Sequence, residues 1–475
     1  MLLSRSEFRY ILRTSVFLFL SLVISAQFSY KDTASTLQSE IYTHKRPTIE
    51  KPNLGIDIIT TGIDFPSDMA FLGVNDILVL EKNQGIVRRI VNGQMLDQPL
   101  LDINNLSNSS ERGLLGVATT KKVDMGKDDE YYVYLYFSES VKVQGGNNNS
   151  DYGNKEYVYN RIYRYELVGS HLINSKLLLN LPASPATYHN GGKMLVGPDS
   201  SLYVAVGDFG LGRKDVEKSN KVQNNREGAD PDGRAGILRI TQDGEVVNGL
   251  GILGEKSPLD KYFAYGIRNS FGMDFDPVTG NLWNTENGPN YGDEINLVRP
   301  GFNSGWNKIQ GFWEPNGEEK GRFELNPNNL VDFNGMGKYS NPEFVWNYTV
   351  GLTALKFLNS SIYGEEYEDD MFVGDFNNGN LYHFELNEEQ DRTELSLGGD
   401  LEDKVADTQQ ELEEKLFGEG FTAITDIEVS PDGYLYILSL HRSGHDCDPK
   451  FPDCIKYDSS VYGTLFKIYP SNQSQ

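Results

Sequence analysis

From Ile56 to Pro470, short runs of β-branched, aromatic and aliphatic residues alternate with clusters of Gly, Asn, Asp and Pro. Runs of this length between such turn residues predict strands. One longer stretch, Asp403–Phe417 (DKVADTQQELEEKLF), has helical composition and reads as an insertion. The strands recur in a loose order: an apolar strand, a turn of the Pro-Asp-Gly kind, a second strand, then a phrase such as Gly236-Ile-Leu-Arg-Ile240. Equivalent points at Pro66, Gly113, Gly191, Asn269, Thr349 and Ile424 mark six such units. Most intervals exceed the roughly 40–45 residues of an ordinary four-strand propeller blade, so the units carry long loops.

A β-meander alone cannot bury both of its faces. Stacking several round an axis does so, and closing the ring protects the strand edges. The expected fold is therefore all-β, a six-bladed β-propeller with long inter-strand loops on one face, spanning residues 55–470. The strand at Ile56–Thr60 is expected to join the last blade and close the ring. Aromatic residues make up 12% of the chain, which suits large side chains packed between blades. An array of β-sandwiches is the competing architecture, but no internal linker separates the repeats.

The ends of the chain change the picture. Arg5, Arg9 and Arg13 precede the uncharged apolar run Thr14–Ser25, and Ser25-Ala26 follows. That pattern predicts a signal peptide over residues 1–26, with an uncleaved anchor as the alternative. It implies a secreted, periplasmic or cell-surface protein with no membrane span after cleavage. Residues 27–54 are polar and read as a linker. The two cysteines, Cys447 and Cys454, enclose a Pro-containing loop. In an exported chain a local disulfide is expected, with a metal site using His441 and His445 as the alternative.

The formal net charge is −25, which repels phosphate backbones and argues against a nucleic-acid partner.

Three phrases carry candidate chemistry: Glu111-Arg-Gly-Leu-Leu-Gly116; His189-Asn-Gly-Gly192 with Leu202–Asp208 (LYVAVGD); and Gly266-Ile-Arg-Asn269 with Glu286-Asn-Gly-Pro289 and Asp293-Glu-Ile-Asn296. In that order and at repeat spacing, they resemble the glucose/sorbosone dehydrogenase family, which includes soluble sugar dehydrogenases dependent on pyrroloquinoline quinone (PQQ). The resemblance runs through most of residues 55–470. It implies PQQ and Ca²⁺ on one face of the propeller, oxidation of the anomeric C–OH of an aldose to a lactone, and an external electron acceptor.

His189 matches the family's catalytic base. A neutral imidazole suits removal of a hydroxyl proton as hydride leaves carbon; read locally, a turn histidine satisfied by backbone is the better reading, and the resemblance reverses it. The resemblance further implies Asp293 as the acid beside the histidine and Glu111 as a group near substrate. Arg268, Asn269, Asn287 and Trp346 are the implied cofactor contacts, and Gly288 and Pro289 offer calcium their main-chain carbonyls. Local readings compete: Asp293 as a turn cap, Trp346 as a core residue.

The chain departs from the family where PQQ's carboxylates need cations. Asn377, Ala423 and Thr425 stand in place of one lysine and two arginines, leaving Arg268, Lys193 and calcium to compensate. The departure supports a second reading, a non-catalytic propeller that binds a glycan or protein. A calcium-dependent lactone hydrolase is a third.

Overall fold

The computed structural model describes residues 47–122, 130–143, 155–183, 186–210, 219–316, 319–321, 327–441 and 462–471. The signal segment, the start of the linker and both cysteines lie outside them.

Among the described residues the strands form six sheets of four to six strands, plus one two-stranded pairing of Pro315–Asn316 with Glu319–Lys320. Each larger sheet begins with an inner strand: Pro66–Gly73, Leu114–Lys121, Met194–Val196, Met273–Phe275, Leu352–Phe357 and Ile424–Val429. Each inner strand touches that of the next sheet, and the last returns to the first. This closed ring is a β-propeller. Strands from the two ends of the described chain seal it: Leu54–Asp64 pairs antiparallel with Tyr462–Pro470, setting Ile56 opposite Ile468 and Thr60 opposite Leu465. The strand expected at Ile56–Thr60 thus joins the final sheet.

Apolar side chains fill the spaces between neighbouring sheets. Tyr134, Tyr136, Val204 and Leu238 pack between the second and third sheets. Trp283, Phe344, Trp346, Tyr382 and Phe384 pack between the fourth and fifth. Met69, Val79, Tyr436 and Leu438 close the last interface, where the sixth sheet meets the first. A fully buried side chain of this kind contributes about 1.5–3 kcal/mol relative to its exposed state, so the ring holds through side-chain interdigitation rather than shared strands.

Charged side chains meet at the hub. Lys193 Nζ bonds Asp68 Oδ1 (3.0 Å), Asp426 Oδ1 (2.6 Å) and Glu428 Oε1 (3.2 Å). Lys356 Nζ lies 2.8 Å from Glu428 Oε2 and 3.4 Å from Asp274 Oδ2. Asp68 Oδ2 also accepts the Val117 N–H at 2.7 Å. Each of the six sheets therefore contributes a polar group to one buried network. Two ammonium groups face four carboxylates. Burial drives the Asp426 carboxyl well above the usual range, with Asp68 and Glu428 opposing Lys193.

Two expectations need correction. The linker ends before residue 54, because Thr48–Ile49 already pairs with Leu416–Glu419. The helical segment within Asp403–Phe417 is confined to Gln409–Glu414. Its Thr408 cap and Glu411 form a capping box, but Val405–Ala406 is claimed by a parallel pairing with Val345–Trp346.

Candidate active site

The Thr187–Gly192 loop crosses from the second sheet to the third and carries His189 in a left-handed conformation, φ 60°. Left-handed backbone is costly for a residue with a side chain and persists only where surroundings impose it. Here they do. The His189 N–H donates to Glu111 Oε2 at 2.6 Å. The Gly191 N–H donates to Asn269 Oδ1 at 3.1 Å. Asn190 Nδ2 donates to Thr187 O, and its Oδ1 accepts from Asn160.

The imidazole Nδ1 lies 2.6 Å from Asp208 Oδ1. Asp208 follows the strand Leu202–Val206 and is fully buried. Its Oδ1 also accepts the Gly210 N–H (2.8 Å), and its Oδ2 accepts Trp306 Nε1–H (2.7 Å). Burial pushes this carboxyl up, but its contact with His189, the Arg268 charge and the Trp306 donor outweigh it and leave it below its ordinary value. An ionised Asp208 places the histidine proton on Nδ1, so Nε2 keeps its lone pair.

Asp208, rather than Asp293, is therefore the acid beside the histidine. The Asp293 carboxylate is spent on main chain. It accepts the Gly288 N–H (2.8 Å) on Oδ1, and the Val350 (2.8 Å) and Gly351 (2.7 Å) N–H groups on Oδ2. Burial pushes its pKa up to about 6 against these three donors. Its work is to fold two loops together. The signal for Asp208 was present in Val-Gly-Asp at the end of an apolar strand, but sequence gives no distance between that position and His189.

Arg268 and Asn269 follow the strand Tyr262–Tyr265. Arg268 Nη1 donates to Asn287 O at 2.7 Å, and the guanidinium lies 5.4 Å from the Trp306 ring centre. Asn287 Nδ2 donates to Leu352 O at 2.8 Å. Arg268 Nε and Asn287 Oδ1 are buried without a partner among the described residues. Orphaned polar groups of this kind point to a ligand or water in the adjoining space. Gly288 is confined: a Cβ there would overlap Tyr291 O. Under the same loops, burial raises Glu286 to about 7 although it accepts from Arg268 N and Ser304 Oγ.

A cavity of ≈ 270 Å³ has Glu111, Gly191, Lys193, Asn287, Asn377 and Thr425 in its wall, whereas His189, Asp208, Arg268 and Asn269 are not among its wall residues. Its sequence-expected neighbour Trp346 is absent from that wall. Trp346 is 1% exposed and packs edge-on against Phe344 (4.7 Å) and Tyr382 (5.5 Å) between the fourth and fifth sheets. It is a core residue, and the cofactor-stacking role implied for it is corrected. Asn377 and Thr425 present neutral groups to the cavity, and Ala423 is fully buried. Lys193 also lines it, but all three of its N–H donors have carboxylate partners in the hub. One cation escaped the sequence reading: Lys82, on the cavity wall.

The ring and its loops define a β-propeller that holds a half-buried imidazole against a buried carboxylate. The comparisons with known proteins place it further. The family model for Glucose / Sorbosone dehydrogenase matches residues 63–446, and the chain belongs to that family. It is 23% identical over 397 residues to aldose sugar dehydrogenase YliI of Escherichia coli, covering 82% of this chain and 91% of that protein. The apo crystal structure of the soluble aldose sugar dehydrogenase of Escherichia coli superposes with a TM-score of 0.59 at 19% identity, covering 88% of this chain and 99% of the other. The PQQ-bound aldose sugar dehydrogenase of Streptomyces coelicolor gives 0.55 at 19% identity, covering 89% and 100%. At these identities the two structures show the fold alone.

Proposed function

We propose that this chain is an exported sugar dehydrogenase that oxidises the anomeric C–OH of an aldose to a lactone, using PQQ and Ca²⁺, on a propeller whose six sheets each count as a blade. The reading is carried by the His189–Asp208 pair, which is tied to the cavity wall through Glu111, the acceptor of the His189 N–H, and through Gly191 of the same loop. PQQ, when bound, supplies the two-electron acceptor that takes the hydride. His189 Nε2 accepts the anomeric hydroxyl proton, and Asp208 stabilises the imidazolium that results. Glu111 holds the His189 main chain through Oε2 and keeps Oε1 for a sugar hydroxyl. Arg268, Asn269 and Asn287 fix the cofactor side of the cavity, and the orphaned Arg268 Nε and Asn287 Oδ1 fit a polar occupant. The electrons then pass to an external acceptor.

Among the described residues no three His, Cys, Asp or Glu side chains are grouped to hold a metal ion. Calcium binding here would rest on the Gly288 and Pro289 carbonyls and Asn287 Oδ1, oxygen donors of the kind calcium prefers. Gly288→Ala is expected to weaken Ca²⁺ affinity at least tenfold by calorimetry, because the added Cβ displaces the Tyr291 carbonyl and the loop with it. Wild-type affinity in that variant would refute the assignment of this loop.

The central experiment gives the mature protein PQQ, Ca²⁺, a panel of aldoses and a redox dye. Dye reduction that requires PQQ, Ca²⁺ and an aldose together is the expected result. No reduction, together with no PQQ binding by titration, overturns the reading. The neutral residues Asn377, Ala423 and Thr425 favour one competitor, a propeller that binds a glycan or protein without chemistry; in that case ligand binding survives His189→Ala and no turnover exists to lose.

A further inference from the structure

The positive charge missing from the fifth and sixth sheets has a counterpart on the first. Lys82 directly follows the strand Asp76–Glu81 and is 8% exposed, yet it lines the cavity together with Ser110 and Glu111. Its Nζ donates to Ser110 O at 2.8 Å and Asn83 Oδ1 at 3.1 Å. An ammonium has three N–H groups, and the third has no acceptor among the described residues.

The Ser110–Gly113 loop is shaped around this side chain. Ser110 adopts a left-handed φ of 59°, and its carbonyl meets Nζ. Gly113 has φ 148°, and a Cβ there would lie 2.6 Å from Lys82 O and 2.7 Å from Lys82 Cγ. The Leu114 N–H closes the loop onto Lys82 O at 2.9 Å. Lys82 also lies 4.9 Å from the Phe65 ring centre. Burial lowers the ammonium to about 8, with the Glu111 charge opposing the shift. A buried cation with a spare donor on a cavity wall suits an anionic ligand oxygen.

We propose that Lys82 is a carboxylate-binding subsite of this cavity, serving the function that Asn377, Ala423 and Thr425 cannot. The inference rests on the cavity being the quinone and sugar site. A carboxylate can reach Lys82 from two sources, the quinone or an acidic sugar of the uronic acid class, and the test separates them.

Mature wild-type protein, Lys82→Met and Lys82→Arg are titrated by calorimetry with PQQ in the presence of Ca²⁺, with glucuronate and with glucose, and their melting temperatures are compared. Lys82→Met is expected to weaken the carboxylate ligand ten- to hundredfold, as loss of a charge-assisted contact implies. Glucose affinity and melting temperature should stay near wild type, and Lys82→Arg should restore most of the carboxylate affinity. In the wild type, carboxylate affinity should fall as pH rises through about 8, where the ammonium loses its proton; Lys82→Arg should lack that fall. Glu111 is the titratable group facing Lys82, and Lys82→Arg, which keeps Glu111 in place, separates its contribution from that of the ammonium.

Weakened PQQ binding identifies the quinone as the source. Weakened glucuronate binding in a protein that never takes PQQ sustains the subsite while the quinone reading falls. The proposal is overturned if Lys82→Met binds both acids as wild type does, if wild type binds neither, or if the variant loses glucose and melting temperature in parallel, as a loop staple would. Should Lys82→Met not fold, the pH series on wild type and Lys82→Arg decides alone.

Discussion

Replacing His189 by alanine is expected to slow aldose oxidation by two to four orders of magnitude, the usual contribution of a positioned general base. PQQ affinity should change little, since the imidazole is committed to Asp208 through Nδ1. Asp208→Asn tests the same pair from its other end. The amide keeps the shape of the carboxylate but can donate a hydrogen bond to Nδ1. That stabilises the tautomer with its proton on Nε2, where the sugar hydroxyl must be deprotonated. A loss of about a hundredfold or more in kcat is expected, larger than the change in KM, because the altered interaction develops as proton transfer proceeds. Steady-state dye reduction and PQQ titration of both variants measure these effects. Turnover within a few-fold of wild type in His189→Ala would remove the histidine from the chemistry.

The second large effect concerns stability. Lys193→Met removes the ammonium from Asp68, Asp426 and Glu428 at the hub, and of the three only Glu428 keeps another, Lys356. Breaking a buried ion pair from one side typically costs about 3–5 kcal/mol, and chemical denaturation should show a loss of that size. Part should be recovered at acid pH. With the lysine gone, the carboxylates bind protons more tightly in the folded state than in the unfolded chain, so lowering pH through the carboxylate range neutralises them and favours folding. A variant with an unchanged denaturation midpoint would show that the hub network adds no net stability.

The sequence carried most of the ring and less of the site. Apolar runs such as Leu202–Val206 and Leu435–Leu440 became strands buried along their whole length, because sheets packed on both faces tolerate continuous hydrophobicity. Thr48–Ile49 escaped notice because a two-residue edge pairing leaves no period to read. At the site, Arg268, Asn269 and Asn287 gather as their motifs imply. Asp208, given no role by the sequence, stands where Asp293 was expected, since each lies beside a glycine at the edge of a strand and only the folded chain shows which carboxylate reaches the imidazole. Trp346 went to the core for a similar reason: strand alternation fixes which residues share a face, not which face meets a cavity. Lys82 was hidden because a lysine before Asn-Gln-Gly reads as an ordinary charged turn, and its burial depends on the Ser110–Gly113 loop of another sheet.

The clasp between Leu54–Asp64 and Tyr462–Pro470 has a consequence in time as well as in space. A chain that emerges from its N-terminus exposes one half of this pairing long before the other half has been synthesised. Until then Leu54–Asp64 has no partner of its own, and the toroid stands open at a single seam. Completion of the circle thus waits for synthesis of Tyr462–Pro470.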